Sequence, residues 1–257
     1  TAEARAGALW WFGPDDDTPH ELDIADQIAG MMLSYGVLGA IVYRERFGVG
    51  QKVDVSHLGS MIWARGMQNG ISFLKDFEVP RFDRKEPGQV LWNYYRCQDG
   101  EWIAFSMGQG DRFWPTFCQA IDRPDLVTDP RFDTMTARFE NRREVVAVLD
   151  DVFAGRPRAY WERRLDEAGD LIWERVQRNL DLLDDPQVKA NDYVIEYDHP
   201  VIGPSKWAQT PVSYSETPLH TRKMAPALGE NTEEILIDLL GYTWDDIAAM
   251  RDEGAIL

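Results

Sequence analysis

Apolar positions recur at helical spacing between residues 26 and 46. Ile28, Met31, Met32, Tyr35, Leu38 and Val42 fall three or four apart and predict one long amphipathic helix. Gly30, Gly36 and Gly39 interrupt it, each costing about 1 kcal/mol against alanine in a helix interior, so close packing is expected there. Arg44 and Arg46 suit its C-terminal dipole, and Gly48 and Gly50 stop it. Lys52 to Val55 alternates like a strand, and Ser56 is placed to cap a second helix over 57–74. The charged, proline-containing run KDFEVPRFDRKEPGQ at 75–89 reads as a linker. Val90 to Cys97 and Glu101 to Ser106 flank Asp99-Gly100, a strong hairpin signal. Helices are expected at 111–122, 138–154 and 158–168, an extended piece at 171–176, and a short helix at 180–183. Tyr193 to Tyr197 and Val212 to Tyr214 read as strands, and two helices close the chain at about 230–240 and 243–252.

Composition narrows the class. The 257 residues are 44% hydrophobic, enough to build a core and too apolar for disorder. The most apolar run, Ile28 to Tyr43, carries Ser34 and several glycines and reads as a buried helix rather than a bilayer span. A net charge of −17 makes nucleic acid and anionic membrane poor partners. Cys97 and Cys118 give neither a disulfide framework nor metal spacing, so buried thiols and a cytoplasmic setting are expected. No signal-like segment leads the chain, which opens at Thr1 without Met, as a processed, split or incomplete polypeptide would.

Candidate chemistry is sparse. There is no Gly-x-Ser-x-Gly elbow or paired-His metal motif, and GVGQK at 48–52 lacks the spacing of a phosphate loop. Asp15, Asp16 and Asp17 read as a solvated turn ended by Pro19. His20, His57, His199 and His220 lie far apart, as surface or structural residues would. Asp26 stands out at the mouth of the long helix. It is either an N-cap, worth about 1 kcal/mol, or an ionised nucleophile stabilised by helix N-terminal amides. Pattern alone leaves both open.

The chain resembles the class III CoA-transferases, the group of formyl-CoA transferase, carnitine CoA-transferase and the α-methylacyl-CoA racemases. DIADQIAGM and YRERFGVGQKVDVS match the family's Asp, its glycine-containing helix and its Arg-x-x-x-Gly-x-Gly-Gln-x-Val stretch. YYRCQDGEWIAF, RPDLVTDPRF, ENRRE, DDPQVKAN and APALGENTEEILIDLLGYTWDDIAAMRDEGAI follow in the family's order. The resemblance implies an α/β fold, with part of a large nucleotide-fold domain, a small α+β domain and an interlocked dimer. By it, residues 1–74 belong to the large domain with the nucleophile helix. A linker at 75–89 leads to the small domain at 90–205, and a second linker at 206–217 leads back to the large domain at 218–257. It also implies that a segment before residue 1, or a partner chain carrying it, supplies most of the sheet, much of the CoA site and the main oxyanion donor.

By the same resemblance Asp26 is the catalytic nucleophile, passing CoA from an acyl-CoA to a carboxylic acid through an aspartyl anhydride and an aspartyl-CoA thioester. The amides of Gln27 and Ile28 are local oxyanion donors, and His57 lies near the partner subunit's CoA. Acyl-CoA and carboxylate enter as substrates; no metal and no permanently bound cofactor are implied. Two alternatives stay open: an acyl-CoA racemase or epimerase of the same fold, and a non-catalytic subunit. Racemases need a glutamate just after the hairpin, where this sequence has Gly110, with Asp111 one residue away. Only Gly88 is available for a glycine-rich lid. Trp10, Trp11, Trp63 and Tyr35 suggest a bulky or aromatic acyl group, or a packed core.

Overall fold

The computed structural model describes residues 1–11, 22–219 and 225–256. Asp15 to Asp17, His20 and His220 lie outside the described residues. The chain divides into two compact units, Thr1–Val176 and Gln177–Leu257.

The first unit opens with two short helices, α1 (Ala2–Arg5) and α2 (Ala8–Trp11), followed by the 23-residue α3 (Ala25–Phe47). Gly48, at φ 71°, ends α3 by donating its amide to the Arg44 carbonyl at 2.7 Å. The chain then turns back, and Ser56 starts α4 (His57–Ala64) by accepting from the Gly59 amide at 3.0 Å. The helix expected over 57–74 is two: α4 ends at Arg65, where φ −98° and ψ 21° leave helical geometry, and α5 spans Gly66–Lys75. Arg65 is buried, and its Nη1 donates to the Ala6 carbonyl at 2.8 Å, an anchor that local pattern could not foretell.

Residues 52–55 form no ladder among the described residues, contrary to the expected strand. They run back along α3, and Val53 packs on Gly36 so closely that a Cβ there would stand 2.8 Å from Val53 Cγ1. Gly30 and Gly39 face open space in this chain. α3 is also less covered than expected, for only Ala29 is buried. Its apolar residues are not confined to one stripe: Met31, Leu33, Tyr35, Val37, Leu38, Ile41 and Val42 are all exposed. α4 and the return segment reach one side only, whereas a helix apolar all round is built to be covered on several. By length and composition alone α3 is also long and apolar enough to cross a bilayer.

The hairpin forms as expected, with β1 (Tyr94–Arg96) antiparallel to β2 (Trp102–Phe105) and Tyr95 opposite Ile103. Gly100 takes φ 84° in the turn, a value glycine adopts without cost. β3 (Trp173–Arg175) adds to the far side of β2, Phe105 opposite Trp173. Tyr95, Ile103 and Phe105 point to the core; Tyr94 points to solvent. Three helices, α6 (Gly110–Ala120), α8 (Arg142–Ala154) and α9 (Arg158–Ala168), bring Phe117, Leu149, Phe153 and Leu165 into that core. A shorter α7 (Met135–Glu140) precedes α8, so the helix expected over 138–154 also breaks, at Asn141. Within residues 75–89, two side chains reach the α8 region. Arg84 makes two 2.8 Å contacts to the carboxylate of Asp150 on α8, Asn93 Nδ2 donates to the Arg84 carbonyl at 2.9 Å, and Glu86 pairs with Arg142 and Arg143.

Cys97 and Cys118 are free and buried in this core, and burial pushes each thiol up to about 12. Both are therefore neutral at pH 8, and the thiolate is the reactive form. Iodoacetamide at pH 8 is expected to leave both unmodified in native protein and to alkylate both in denaturant, read by intact mass.

In the second unit a 3-10 turn at Asp181–Leu183 precedes α10 (Pro186–Ala190), which the Asp185 side chain caps. β4 (Val194–His199) pairs antiparallel with β5 (Gly203–Ala208). Residues 212–214, expected as the second strand, form no ladder among the described residues, and the strand that pairs instead contains Pro204. In a two-stranded ribbon the missing amide of Pro204, opposite Asp198, can face away from the ladder. α11 (Thr232–Glu234) runs into a π-helical turn at Ile235–Leu239, and α12 (Trp244–Asp252) begins with a capping box of Thr243 and Asp246.

Candidate active site

Asp26 stands in the first turn of α3 and does not cap it. The N-cap is Ile24, at φ −123° and ψ 0°, whose side chain has no acceptor. A distant residue fills that role. Glu3 of α1 accepts the Ile24 amide at 2.7 Å and the Ala25 amide at 3.0 Å on Oε1, and the Asp23 amide at 3.3 Å on Oε2. Asp23 reaches this position at φ 51°, a left-handed conformation that Asp tolerates better than most residues. The Ile24 amide bond, first among these contacts, holds the Glu3 carboxyl below its ordinary range. Glu3 is 9% exposed.

With the cap supplied from α1, the Asp26 side chain is left 90% exposed, and one oxygen meets His57 Nε2 at 3.1 Å. His57 is the first residue of α4. Its approach follows from the chain path. Gly36 lies ten residues beyond Asp26, about 15 Å along a helix. Val53, on Gly36, lies four residues before His57, about 13 Å of extended chain. The return segment therefore spans the distance from Gly36 back to the mouth of α3. A small apolar seam fixes the two helix ends: buried Ala6, Ala8 and Met61, with Leu22, Ala25, Ile28 and Leu58 packed on them.

Of the two expected oxyanion donors, the Ile28 amide is taken up within α3, donating to the Ile24 carbonyl at 3.1 Å. Gln27, one residue earlier, is among the first-turn positions whose amides have no intrahelical acceptor. Tyr35, Trp63 and Trp10 are exposed. His199 is structural, its Nδ1 accepting the Val201 amide at 3.1 Å. Among the described residues no group of three His, Cys, Asp or Glu could hold a metal ion.

After the hairpin, the side chain of Gln89 fills the space a Cβ at Gly110 would need. The neighbouring acid, Asp111, pairs with Arg138, a guanidinium only 1% exposed that also donates to the Phe132 carbonyl at 2.6 Å and lies 4.5 Å over the Trp114 ring. Glu3 is the residue sequence reasoning missed. Nothing in TAEARAGAL marks a carboxylate that will act more than twenty residues away.

Known proteins resemble this chain over most of its length. Similar proteins include the (R)-2-hydroxy-4-methylpentanoate CoA-transferase of Clostridioides difficile, 28% identical over 90% of this chain and 57% of that protein. The succinyl-CoA–D-citramalate CoA-transferase of Chloroflexus aurantiacus is 30% identical over 99% of this chain and 63% of its own length. The chain thus spans about three-fifths of these relatives. Its fold is shared by a CAIB/BAIF family protein from Brucella suis, with a TM-score of 0.77 at 22% identity over 93% of this chain and 61% of that one. Rv3272 of Mycobacterium tuberculosis gives 0.75 at 24% identity over 90% and 61%. The profile described as CoA-transferase family III matches residues 1–232, and the chain belongs to that family.

Proposed function

We propose that this chain carries the nucleophile of an enzyme that moves CoA from an acyl-CoA to a carboxylic acid, and that the nucleophile is Asp26. The observation behind this reading is the carboxylate itself: it stands in the first turn of α3, free of any capping duty, exposed, and touched by His57. The free Asp26 oxygen adds to the thioester carbonyl of the donor, the C–S bond breaks, and an aspartyl–acyl anhydride and CoA thiolate result. The thiolate then adds to the aspartyl carbonyl and expels the donor as its carboxylate, leaving an aspartyl-CoA thioester. The acceptor carboxylate attacks that carbonyl, giving a second anhydride and thiolate. Attack of the thiolate on the acceptor's acyl carbon yields the new acyl-CoA and restores Asp26.

Each addition places negative charge on an oxygen beside the helix mouth. In this reading the Gln27 amide supplies the local donor, and the main one comes from a further segment or a second chain, as in an interlocked dimer. His57 holds one carboxylate oxygen and leaves the other to attack. A pair this exposed adds at most about 1 kcal/mol of stability, so its value lies in orientation.

The test is a trap. Intact enzyme given an acyl-CoA and hydroxylamine is expected to accumulate the hydroxamate of Asp26, found by peptide mass spectrometry; active enzyme with Asp26 unmodified would overturn the mechanism. Racemisation finds less support. The space beyond Gly110 is filled by Gln89, and Asp111 is engaged by Arg138, so neither position offers a free acid. Deuterium wash-in at the acyl α-carbon without CoA exchange would reverse that choice.

A further inference from the structure

We propose that Glu3 is a positioning residue for the reaction: it holds the first turn of α3 so that Asp26 meets the thioester. The inference rests on the reading of Asp26 as nucleophile. Three amides in succession, of Asp23, Ile24 and Ala25, converge on its carboxylate. They are the backbone leading directly into Asp26, and no side chain local to α3 substitutes for them. The Glu3 carboxylate is itself held. α1 leads into buried Ala6, whose carbonyl accepts Arg65 Nη1 at 2.8 Å, and Gly7, at φ 73°, lies where a Cβ would stand 2.9 Å from that same atom. Arg65 closes α4, the helix that begins with His57. One small framework therefore holds both partners of the Asp26–His57 contact, with Glu3 on the Asp26 side.

The chemistry explains why an anion was placed there. Helix-terminal amides left without an acceptor take up a nearby carboxylate, and Asp26 follows Ala25 directly in the chain. With Glu3 in place, the amides of Ile24 and Ala25 are occupied, and the Asp26 carboxylate is not drawn back onto the backbone as a cap. Loss of Glu3 frees those amides to recruit Asp26. Displacement of a reacting group by about 1 Å can cost some 100-fold in rate.

The experiment compares Glu3→Ala, Glu3→Gln and Glu3→Asp with wild type in the intact enzyme. It measures the single-turnover rate of Asp26 acylation by hydroxylamine trapping, kcat and KM for the acyl-CoA, and folding by circular dichroism. Glu3→Ala is expected to lower acylation and kcat about 10-fold or more with KM within about twofold, because the loss is in the reacting geometry rather than in binding. Glu3→Gln keeps the Oε1 acceptor used by Ile24 and Ala25 and is expected to recover most of the rate. Glu3→Asp, one methylene shorter, is expected to fall with alanine. Folded Glu3→Ala that acylates Asp26 at the wild-type rate overturns the inference. If Glu3→Ala does not fold, glutamine and aspartate decide: a slow aspartate variant beside a near-normal glutamine variant supports positioning, and any other pattern overturns it. Asp26→Asn run in parallel separates the two claims. Retained CoA transfer in that variant removes the nucleophile itself, whereas an inactive Asp26→Asn beside unaffected Glu3 variants removes only Glu3's role.

Discussion

Asp26→Asn is expected to lose CoA transfer by about 1,000-fold or more while keeping its fold. Removal of a covalent nucleophile leaves only binding and the remaining oxyanion donors, and such losses run to several orders of magnitude. The substitution is unusually clean here. Asparagine differs from aspartate by charge and not by size, and the side chain is 90% exposed and touches His57. Its cost in stability is the lost attraction between a carboxylate and a helix N-terminus, about 0.3–1 kcal/mol. Because Glu3 caps the helix, no cap is lost. Steady-state transfer from a panel of acyl-CoA donors to a panel of carboxylates, beside a thermal melt, checks both halves. Transfer within about tenfold of wild type at an unchanged melting temperature would mean that Asp26 is not the acyl acceptor.

Phe153→Ala is expected to destabilise the first unit by about 3–5 kcal/mol, the range for a large aromatic removed from a filled core. Phe153 is fully buried, stacked on Tyr95 at 5.2 Å and set edge-on to Trp161 at 5.1 Å, with Phe105 at 5.6 Å. It is where helix α8 meets β1 and β2, and its carbonyl accepts Trp161 Nε1 at 3.0 Å, a backbone contact that the substitution spares. The loss therefore reports the aromatic packing. Rings from two strands and two other helices, with Phe117 on α6 and Trp161 on α9, line the cavity that alanine would leave, and rigid rings cannot collapse into it. Phe153→Leu, which keeps most of the volume, is expected to cost less than half as much. Denaturant unfolding followed by tryptophan fluorescence measures both variants, and equal midpoints for wild type and alanine would remove Phe153 from the centre of the core.

The legible parts of this chain are those whose signals are local. Asp99-Gly100 between apolar runs gave the hairpin, Ser56 before an apolar run gave the start of α4, and Gly48 ended α3 near its expected place. The burial of both cysteines was also foreseen, since free thiols outside a disulfide framework favour the interior. Where helices broke, the cause was non-local or weakly encoded: Arg65 leaves α4 to reach the Ala6 carbonyl, and Asn141 separates α7 from α8 while its side chain bonds the Arg131 and Ala137 carbonyls. Residues 52–55 alternate as a strand should, but a ladder needs a neighbour, and here the segment packs on a helix glycine. Within residues 75–89, which have a linker's composition, Arg84 and Glu86 pair with side chains of α8, contacts that no local pattern records because Arg84 and Asp150 stand 66 residues apart.

At the site, the sequence by itself determined that Asp26 opens a long helix, that His57 opens the next, and that the ordered motifs around them are those of class III CoA-transferases. It left open whether Asp26 caps or reacts, since both uses ask for a carboxylate at a helix mouth. Only the tertiary structure shows that the side chain does not cap. Glu3, from another helix, takes the amides, and the fold of the return segment over Gly36 brings His57 to the carboxylate left exposed. Periodicity records which face of one helix is apolar. It holds no record of a hydrogen bond formed between residues more than twenty positions apart, because that bond depends on where the chain turns and not on what stands beside each residue in sequence.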